Sequence, residues 1–397
     1  MEIITKTKDL EALCAALARE NYVTVDTEFM REQTFWPILC LIQIAGSGRE
    51  AIIDPLAESL DLEAFYALMD NPAVLKVFHA ARQDVEILFL KSGRIPHPLF
   101  DTQIAAMVCG FGDQVGYEAL TRQLAGVQID KSSRFTDWSH RPLSERQLAY
   151  ALSDVTHLRK IYDRLKAQLD RTGREPWLEE EMAVLTSPDT YRSDPADAWK
   201  RTKFRARNRR QQAVIMEVAA WREREAQARD VPRSRVLKDD AMVEIAMQAP
   251  STDADLKRLR ALPRGYAGSR FGDGILAAVK RALERPAKDV SMPENGSDGR
   301  QEGTSATVEV LRLALKIVCE SEGIAPKLIA GTSDLEAIAG GATEGVPALT
   351  GWRRGIFGEA ALRLVAGELD IGLEDGKPVL REATRAMPRP QRAAAGA

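Results

Sequence analysis

Five side chains within the first 154 residues have the types and spacing needed for divalent-metal chemistry: Asp26, Glu28, Asp84, Tyr150 and Asp154. Carboxylate oxygens are the ligands that magnesium and manganese prefer, and hydrolytic enzymes use such ions in pairs about 3.5 to 4 Å apart. In such a pair, the ions activate water and stabilise the oxygen that leaves phosphorus. The set therefore predicts hydrolysis of a phosphodiester, with two divalent metal ions, Mg²⁺ or Mn²⁺, as cofactors.

The elements predicted around these residues place four of them in pairs. Asp26 and Glu28 lie two residues apart in the strand-like run 22–29, so both point to one face of the strand. Tyr150 and Asp154 lie four residues apart in a helical run, so both project from one face of that helix. We expect the two pairs to form one site.

Asp84 lies about one turn into a predicted helix that follows a buried strand at 74–78. In a chain with 58 acidic residues, each of these patterns alone is weak evidence of catalysis. An acid inside an apolar strand is stronger evidence, because partly buried carboxylates usually require a metal or a cationic partner. The pair of Asp26 and Glu28 therefore contributes most to the hypothesis of a metal site.

The spacing of apolar residues predicts an α/β fold class for the first part of the chain and two small all-α helical bundles after it. The predicted strands are 22–29, 39–45, 50–53 and 74–78. The predicted helices of this part are 10–19, 62–68, 82–90, 100–108, 117–124 and 144–169, the last opening with a capping box from Ser144 to Gln147. The later helical segments are 208–229, 239–248, 251–259, 274–283 and 308 to about 380.

Composition is that of a folded soluble protein, with 45% hydrophobic and 28% charged residues. The chain shows no apolar run long enough to cross a membrane and no secretory signal, so we expect a cytoplasmic protein without membrane contact. The four cysteines are widely separated and lack the spacing of a zinc site or of a disulfide framework.

Charge is distributed unevenly along the chain. Residues 1–199 contain 21 Lys and Arg against 31 Asp and Glu, whereas residues 200–285 contain 21 against 11. The run 200–210, called the basic segment below, has seven positive charges in eleven residues. On composition alone, a solvated connecting helix and a nucleic-acid contact are equally good interpretations. Beside a site predicted to hydrolyse phosphodiesters the second is preferable, because neutralising phosphates gives affinity without sequence choice.

Three ordered motifs closely resemble those of the bacterial ribonuclease D family, and they lie at 26–32, 78–88 and 136–155. That family belongs to the DEDD 3′-to-5′ exonucleases, in the subgroup with tyrosine in the third motif. The resemblance implies a ribonuclease H-like mixed sheet flanked by helices. It also implies that the four acids bind the metal ions and that Tyr150 orients the attacking water. None of the five positions departs from the family's pattern.

Residues of about 208 to 285 resemble the HRDC domain that RecQ-type helicases and ribonuclease D share, and 306–385 occupy the place of a second such domain. The predicted organisation is an exonuclease domain at 1–175, a connecting segment at 176–207, HRDC domains at 208–288 and 306–385, a flexible linker at 289–305 and a disordered tail at 386–397.

The activity implied by the resemblance is removal of nucleoside 5′-monophosphates from RNA 3′ ends. The resemblance also implies that this activity matures precursor transfer RNA and other small structured RNAs. We expect the protein to be monomeric. Two alternatives are a DNA 3′-to-5′ exonuclease, which would share the acids, and a catalytically inactive RNA-binding scaffold, which the intact acids disfavour.

The candidate substrate contacts are Phe29, Met30, His79, Arg82, Lys200, Arg201, Lys203, Arg205 and Arg207. Phe29 and Met30 would wedge against the terminal base, since stacking tolerates any sequence. His79 has a second interpretation as a cap of the following helix, and Arg82 as an exposed helix residue. Asp137, Trp138 and Arg141 precede the third motif's helix, and we expect a buried Trp anchor with an Arg-Asp ion pair.

Overall fold

The computed structural model describes residues 2–130, 136–292 and 304–383. The strands of the first part are β1 Glu2–Ile4, β2 Tyr22–Met30, β3 Ile38–Gly46, β4 Arg49–Ile53, β5 Leu75–Phe78 and β6 Leu99–Asp101. Its helices are α1 Thr7–Leu17, α2 Glu63–Met69, α3 Arg82–Ser92, α4 Thr102–Val108, α5 Tyr117–Leu120 and α6 Glu145–Thr172. The predicted linker and tail lie mostly or wholly outside the described residues.

The strands form one six-stranded mixed sheet in the order β1-β4-β3-β2-β5-β6. β3 pairs antiparallel with β2 and β4, whereas β2, β5 and β6 run parallel. β3 is buried along almost its whole length, as expected for a central strand covered on both faces. This confirms the predicted α/β fold class with a mixed sheet flanked by helices. The helix predicted from residue 100 starts later, because Phe100 and Asp101 belong to β6.

The first part of α6 packs against β3 and β4 through Leu148, Ala151, Leu152 and Val155, apolar side chains that share one face of the helix. The predicted capping box starts it: the backbone N–H of Ser144 donates to Gln147 Oε1 at 3.0 Å, and that of Gln147 donates to Ser144 Oγ at 3.3 Å. Further along, Thr24 Oγ1 of β2 donates to the backbone oxygen of Val155 at 2.8 Å. This buried bond fixes the helix against the strand one residue after Asp154.

A helical bundle follows, built from α8 Arg209–Ala228, α9 Arg233–Val236, α10 Asp239–Gln248, α11 Asp253–Leu256 and α12 Arg270–Glu284. Its apolar core includes Phe35 from the loop between β2 and β3. The backbone N–H groups of Phe35 and Trp36 both donate to Asp230 Oδ1, at 3.0 and 2.9 Å. The loop and the bundle therefore share one apolar core, and the exposed Asp230 accepts both hydrogen bonds from the loop.

Helix α7 Pro176–Leu185 lies before this bundle in the chain. The helices after the bundle are α13 Thr304–Glu322, α14 Pro326–Ile329, α15 Thr332–Ala339, α16 Gly351–Arg353 and α17 Glu359–Val365. Trp177 of α7 stacks on Trp352 with ring centroids 4.6 Å apart, and the buried Arg353 contacts Glu180 and Glu181. Helix α7, which the sequence placed in a connecting segment, thus packs with the C-terminal helices.

The described chain ends in a β-hairpin that the helical pattern did not predict. Strands β7 Leu369–Glu374 and β8 Lys377–Glu382 pair antiparallel around a two-residue turn. Asp375 and Gly376 in that turn both have positive φ, of 49° and 77°. Asp-Gly is the dipeptide that such a tight hairpin turn favours, so the signal for the hairpin was present in the sequence.

Contacts between residues divide the chain into two compact units. The first comprises 1–101, 125–162 and 182–297, and the second comprises 102–124, 163–181 and 298–397. All six strands of the mixed sheet and the first bundle lie in the first unit. Among the described helices, none combines the length and the apolar character that crossing a bilayer would require.

Candidate active site

Three of the predicted acids converge in the first unit. Asp26 and Glu28 come from β2 and Asp154 comes from α6, and one carboxylate oxygen of each lies within 4.8 Å of the other two. Their alternation along the strand puts both β2 acids on the face that α6 covers, as the Thr24 bond to α6 also shows. The three groups have the spacing and the oxygen chemistry to hold a divalent cation.

Asp84 reaches the same strand from its other face. Strand β5 pairs with β2 only as far as Thr24, so the last residues of β2 extend beyond it. Asp84, in the first turn of α3, occupies this region, where Thr27 Oγ1 donates to its Oδ1 at 2.5 Å. Thr27 points away from Asp26 and Glu28, and the hydroxyl therefore ties α3 to the back of the acidic strand.

The electrostatics of these acids reflect crowding and burial. Burial, followed by the charge of Asp154, raises the pKa of Asp26 well above its usual value. Burial, followed by the charge of Asp26, likewise raises the pKa of Asp84, although the Thr27 hydroxyl opposes the shift. Carboxylates held together in this way repel one another when ionised. A divalent cation would offset that repulsion, so the residues present fit such an ion.

Tyr150 lies one turn before Asp154 on α6. Its half-buried side chain packs against an apolar cluster formed by β3, β4 and α6, and its ring centroid lies 6.2 Å from that of Trp138. Trp138 is 2% exposed, and Arg141 forms two hydrogen bonds with Asp54 at 2.8 and 2.7 Å. The predicted buried anchor is confirmed, but the partner of Arg141 is Asp54 and not the neighbouring Asp137, whose Oδ1 accepts from the backbone N–H of Ser139 at 2.9 Å.

The four candidate substrate contacts outside the basic segment differ in exposure. Phe29 and Met30 are half-buried at the end of β2, where the register with β3 shifts between Glu28 and Phe29. Such a bulge redirects side chains at a strand end. His79 is half-buried between β5 and α3, and Arg82 is exposed at the start of α3. Their roles toward substrate stay predictions.

The five candidate cations of the basic segment fall into two groups. Arg201 bonds to the fully buried Glu223 at 2.7 Å, and Lys200 pairs with exposed Asp197 at 2.7 Å. Lys203, Arg205 and Arg207 are exposed, and within the described parts of the chain their side chains form no ion pair. Arg201 thus has a structural partner, whereas the last three present their charge to solvent.

Three residues near the acids were missed by the sequence patterns. Thr27, whose side chain lies on the opposite face of β2 from Asp26 and Glu28, donates a hydrogen bond to Asp84. Asp101, 2% exposed, accepts hydrogen bonds from the backbone just before α3. Gln43 faces Asp26 across β2 and β3, is fully buried, and has neither amide atom hydrogen-bonded within the described residues. A polar side chain in the apolar run 38–46 was the one available signal for Gln43.

Comparison with known proteins agrees with this geometry. The family model described as 3′-5′ exonuclease matches residues 1–170, and the model described as HRDC domain matches residues 211–279. The ribonuclease D of Nitrobacter hamburgensis is 50% identical, over 96% of this chain and 99% of its own. That of Jannaschia sp. is 52% identical, over 94% and 97%.

Solved structures give the same result. The ribonuclease D of Escherichia coli, described as an exoribonuclease involved in structured RNA processing, matches with a TM-score of 0.80 and 28% identity, over 92% of this chain and 98% of its own. The catalytic core of RRP6 from Trypanosoma brucei matches with a TM-score of 0.54 and 26% identity, over 71% and 79%.

The fold and the family models define a 3′-5′ exonuclease with an HRDC domain. The identity over nearly the full length of both chains shows more: the chain belongs to the ribonuclease D family. It is an exoribonuclease, so the first of the three predicted functions is confirmed over a DNA exonuclease and an inactive scaffold. The domain boundaries and the second HRDC-like domain at 306–385 stay predictions.

Proposed function

We propose that Asp26, Glu28, Asp84 and Asp154 hold two divalent cations, Mg²⁺ or Mn²⁺, at which the last phosphodiester of an RNA 3′ end is hydrolysed. The observation that supports this most is the convergence of three carboxylates from β2 and α6 within 4.8 Å. Such ions supply a lowered pKa for attacking water and compensation for charge on the leaving oxygen. In the reaction, a water oxygen bonds to phosphorus, and the bond from phosphorus to the neighbouring 3′ oxygen breaks.

The four acids divide the work by their position. Asp26 interacts electrostatically with both neighbours, since burial and then the charge of Asp154 raise the pKa of Asp26, and burial and then the charge of Asp26 raise the pKa of Asp84. Asp26, Glu28 and Asp154 would hold one cation, and Asp26 would also contribute to holding the second. Asp84, already engaged by Thr27, would act on the second cation mainly through a water. The water loses a proton and the departing 3′ oxygen gains one.

Tyr150 would hold the attacking water in line with the bond that breaks. Its ring is fixed by the apolar cluster and by Trp138, so the direction of its hydroxyl follows from that of α6. A free tyrosine titrates near pH 10, and orientation is therefore its first role and proton acceptance its second.

The substrates we propose are precursor transfer RNA and other small structured RNAs, with 3′-end maturation as the result. Structured RNA is recognised largely by shape and backbone charge, which suits a helical domain and exposed cations. Lys203, Arg205 and Arg207 would contact phosphates, with a smaller contribution from Lys200 and mainly structural effects from Arg201. Phe29, Met30, His79 and Arg82 are the candidates beside the terminal nucleotide.

The test uses end-labelled RNA and DNA of matched sequence, with Mg²⁺ or with EDTA, and the variant Asp84→Asn beside the unmutated protein. We expect RNA to shorten by one nucleotide at a time, only with metal and only with the unmutated protein. Shortening in EDTA, or equal shortening by Asp84→Asn, would contradict the proposed site.

A further inference from the structure

The turn that leads into α3 has an unusual backbone. Strand β5 ends at Phe78 and α3 begins at Arg82, so three residues reverse the chain between them. The middle residue, Ala80, has φ of 58°, in the left-handed region that residues with a Cβ rarely adopt. Such a conformation persists only where surrounding contacts compensate for it.

Asp101, at the end of β6, supplies those contacts. Its Oδ1 accepts the backbone N–H of Ala80 at 3.0 Å, and its Oδ2 accepts that of Ala81 at 2.8 Å. Ala81 is the N-cap of α3, and no side-chain hydrogen bond caps the helix locally. The distant carboxylate therefore accepts the N–H of the N-cap residue, which in a capping box is accepted by the side chain three residues further along the helix. Its negative charge also suits the start of a helix.

The start of α3 in turn determines where Asp84 stands. Asp84 is three residues beyond Ala81, in the first turn, and Thr27 holds its carboxylate from the side of β2. The helix start that carries the Asp84 backbone is therefore bonded to β6 through Asp101, and the Asp84 carboxylate is bonded to β2 through Thr27. A change at Asp101 moves the helix start, and with it the carboxylate.

We propose that Asp101 is a positioning residue that holds Asp84 in the geometry required for cation binding, and this inference rests on the proposed metal site. Asp101 touches neither substrate nor cation in this role. A residue that only stabilised the fold would lower the melting temperature without altering the response to Mg²⁺. A positioning residue changes the Mg²⁺ response itself.

The decisive variant is Asp101→Asn, which keeps the size of the side chain but sets an amide NH₂ against one backbone N–H. Loss of a partner that orients a metal ligand typically lowers metal affinity or activity about 10- to 100-fold. We expect kcat to fall by that amount and the Mg²⁺ midpoint to rise about tenfold. KM for a short unstructured RNA should stay within about twofold, since no phosphate contact changes.

A control and a rescue sharpen the test. Asp61 also accepts a backbone N–H at a helix start, from Glu63 at 2.9 Å, but in α2. Asp61→Asn should leave kcat and the Mg²⁺ midpoint unchanged. Ala80→Gly relieves the left-handed backbone, so in the Asp101→Asn background it should restore about fivefold of the lost activity.

Calorimetric titration of Mn²⁺ without RNA gives a readout independent of turnover, and Asp101→Asn should bind it about tenfold more weakly. If Asp101→Asn does not fold, the double variant with Ala80→Gly is measured in its place. A folded variant with unchanged Mn²⁺ affinity and Mg²⁺ midpoint overturns the inference. Absence of metal-dependent trimming by the unmutated protein would instead overturn the proposed function.

Discussion

The acid cluster, which consists of Asp26, Glu28, Asp84 and Asp154, differs from the basic segment in burial and in the sequence separation of its residues. Asp84 is 6% exposed and Asp154 is 9% exposed, and the acids come from three elements that packing holds together. The basic segment is local in sequence, and Lys203 and Arg205 are exposed. Reaction geometry therefore depends on long-range packing, whereas affinity for a polyanion depends on charge density.

The basic segment contains the same contrast on a smaller scale. Arg201 and Arg233 both bond to the carboxylate of Glu223, which is fully buried and whose pKa these arginines lower. Removal of either arginine would leave a buried charge with fewer partners. Arg205, by contrast, is exposed and forms no ion pair with any residue that the structure describes. Adjacent cations in one run thus have separable roles in folding and in binding.

The largest effect is expected from Asp154→Asn. Loss of one carboxylate of a convergent set should lower kcat at least about 10³-fold, equivalent to about 4 kcal/mol of transition-state stabilisation. Tyr150→Phe keeps the ring and removes the hydroxyl, so its kcat should fall less, by about 10²-fold. Steady-state kinetics on a short RNA in Mg²⁺ measures both.

The control for that pair is binding. RNA affinity, measured by fluorescence anisotropy in Ca²⁺, should be the same for both variants and for the unmutated protein within about threefold. A Tyr150→Phe enzyme with full kcat would show that the hydroxyl does not orient the water.

A smaller effect is expected from replacing Lys203, Arg205 and Arg207 together by Gln. KM for a structured RNA should rise about tenfold, since exposed charge contacts contribute at most about 1 kcal/mol each. The slope of log affinity against log salt should decrease in magnitude by about 2, at about 0.7 for each lost phosphate contact. The matched control removes three exposed cations elsewhere in the first unit, Lys6, Lys8 and Arg19. Equal effects of the two triple variants would show that overall charge matters and the basic segment does not.

The smallest effect concerns stability without metal. Because the pKa of Asp84 is raised in the folded state, the stability it contributes is complete below the unfolded value of about 3.9 and is lost as pH rises through the folded value. At pH 7 in EDTA, Asp84→Asn should therefore melt above the unmutated protein, by about 2 to 4 °C for each kcal/mol regained.

Differential scanning calorimetry at pH 4 and pH 7 tests the sign. The higher melting temperature of Asp84→Asn should approach that of the unmutated protein toward pH 4. Excess Mg²⁺ should make the unmutated protein the one that melts higher, because the ion stabilises it. Glu58→Gln, at an exposed acid, is the control and should be neutral. A variant that melts lower than the unmutated protein in EDTA at pH 7 would contradict the crowded state of the acids.

Local periodicity was sufficient to predict which of the candidate site residues share a face of their strand or helix. Asp26 with Glu28 and Tyr150 with Asp154 follow from spacings of two and four, and the capping box at Ser144 follows from its own four residues. The contact of Thr27 with Asp84 was beyond such rules, because it requires knowing that β5 stops short and that α3 approaches the opposite face.

Long-range hydrogen bonds and weak patterns explain the rest of what was missed. Asp101 lies 20 and 21 residues from the two N–H groups it accepts, so no local motif connects them. The hairpin of β7 and β8 was overlooked for the opposite reason. Its Asp375-Gly376 turn signal is local, but it follows a long run of helical periodicity, which predicts a helix to about residue 380.

The most direct test separates the rate of hydrolysis from the affinity for RNA in one experiment. Single-turnover trimming of an end-labelled structured RNA is measured with enzyme in increasing excess, for Asp154→Asn and for the triple basic-segment variant. We predict that the triple variant reaches the unmutated rate at saturating enzyme, whereas Asp154→Asn stays at least about 10³-fold slower at every concentration. Recovery of Asp154→Asn at saturation, or a persistently slow triple variant, would contradict the division between the acid cluster and the basic segment.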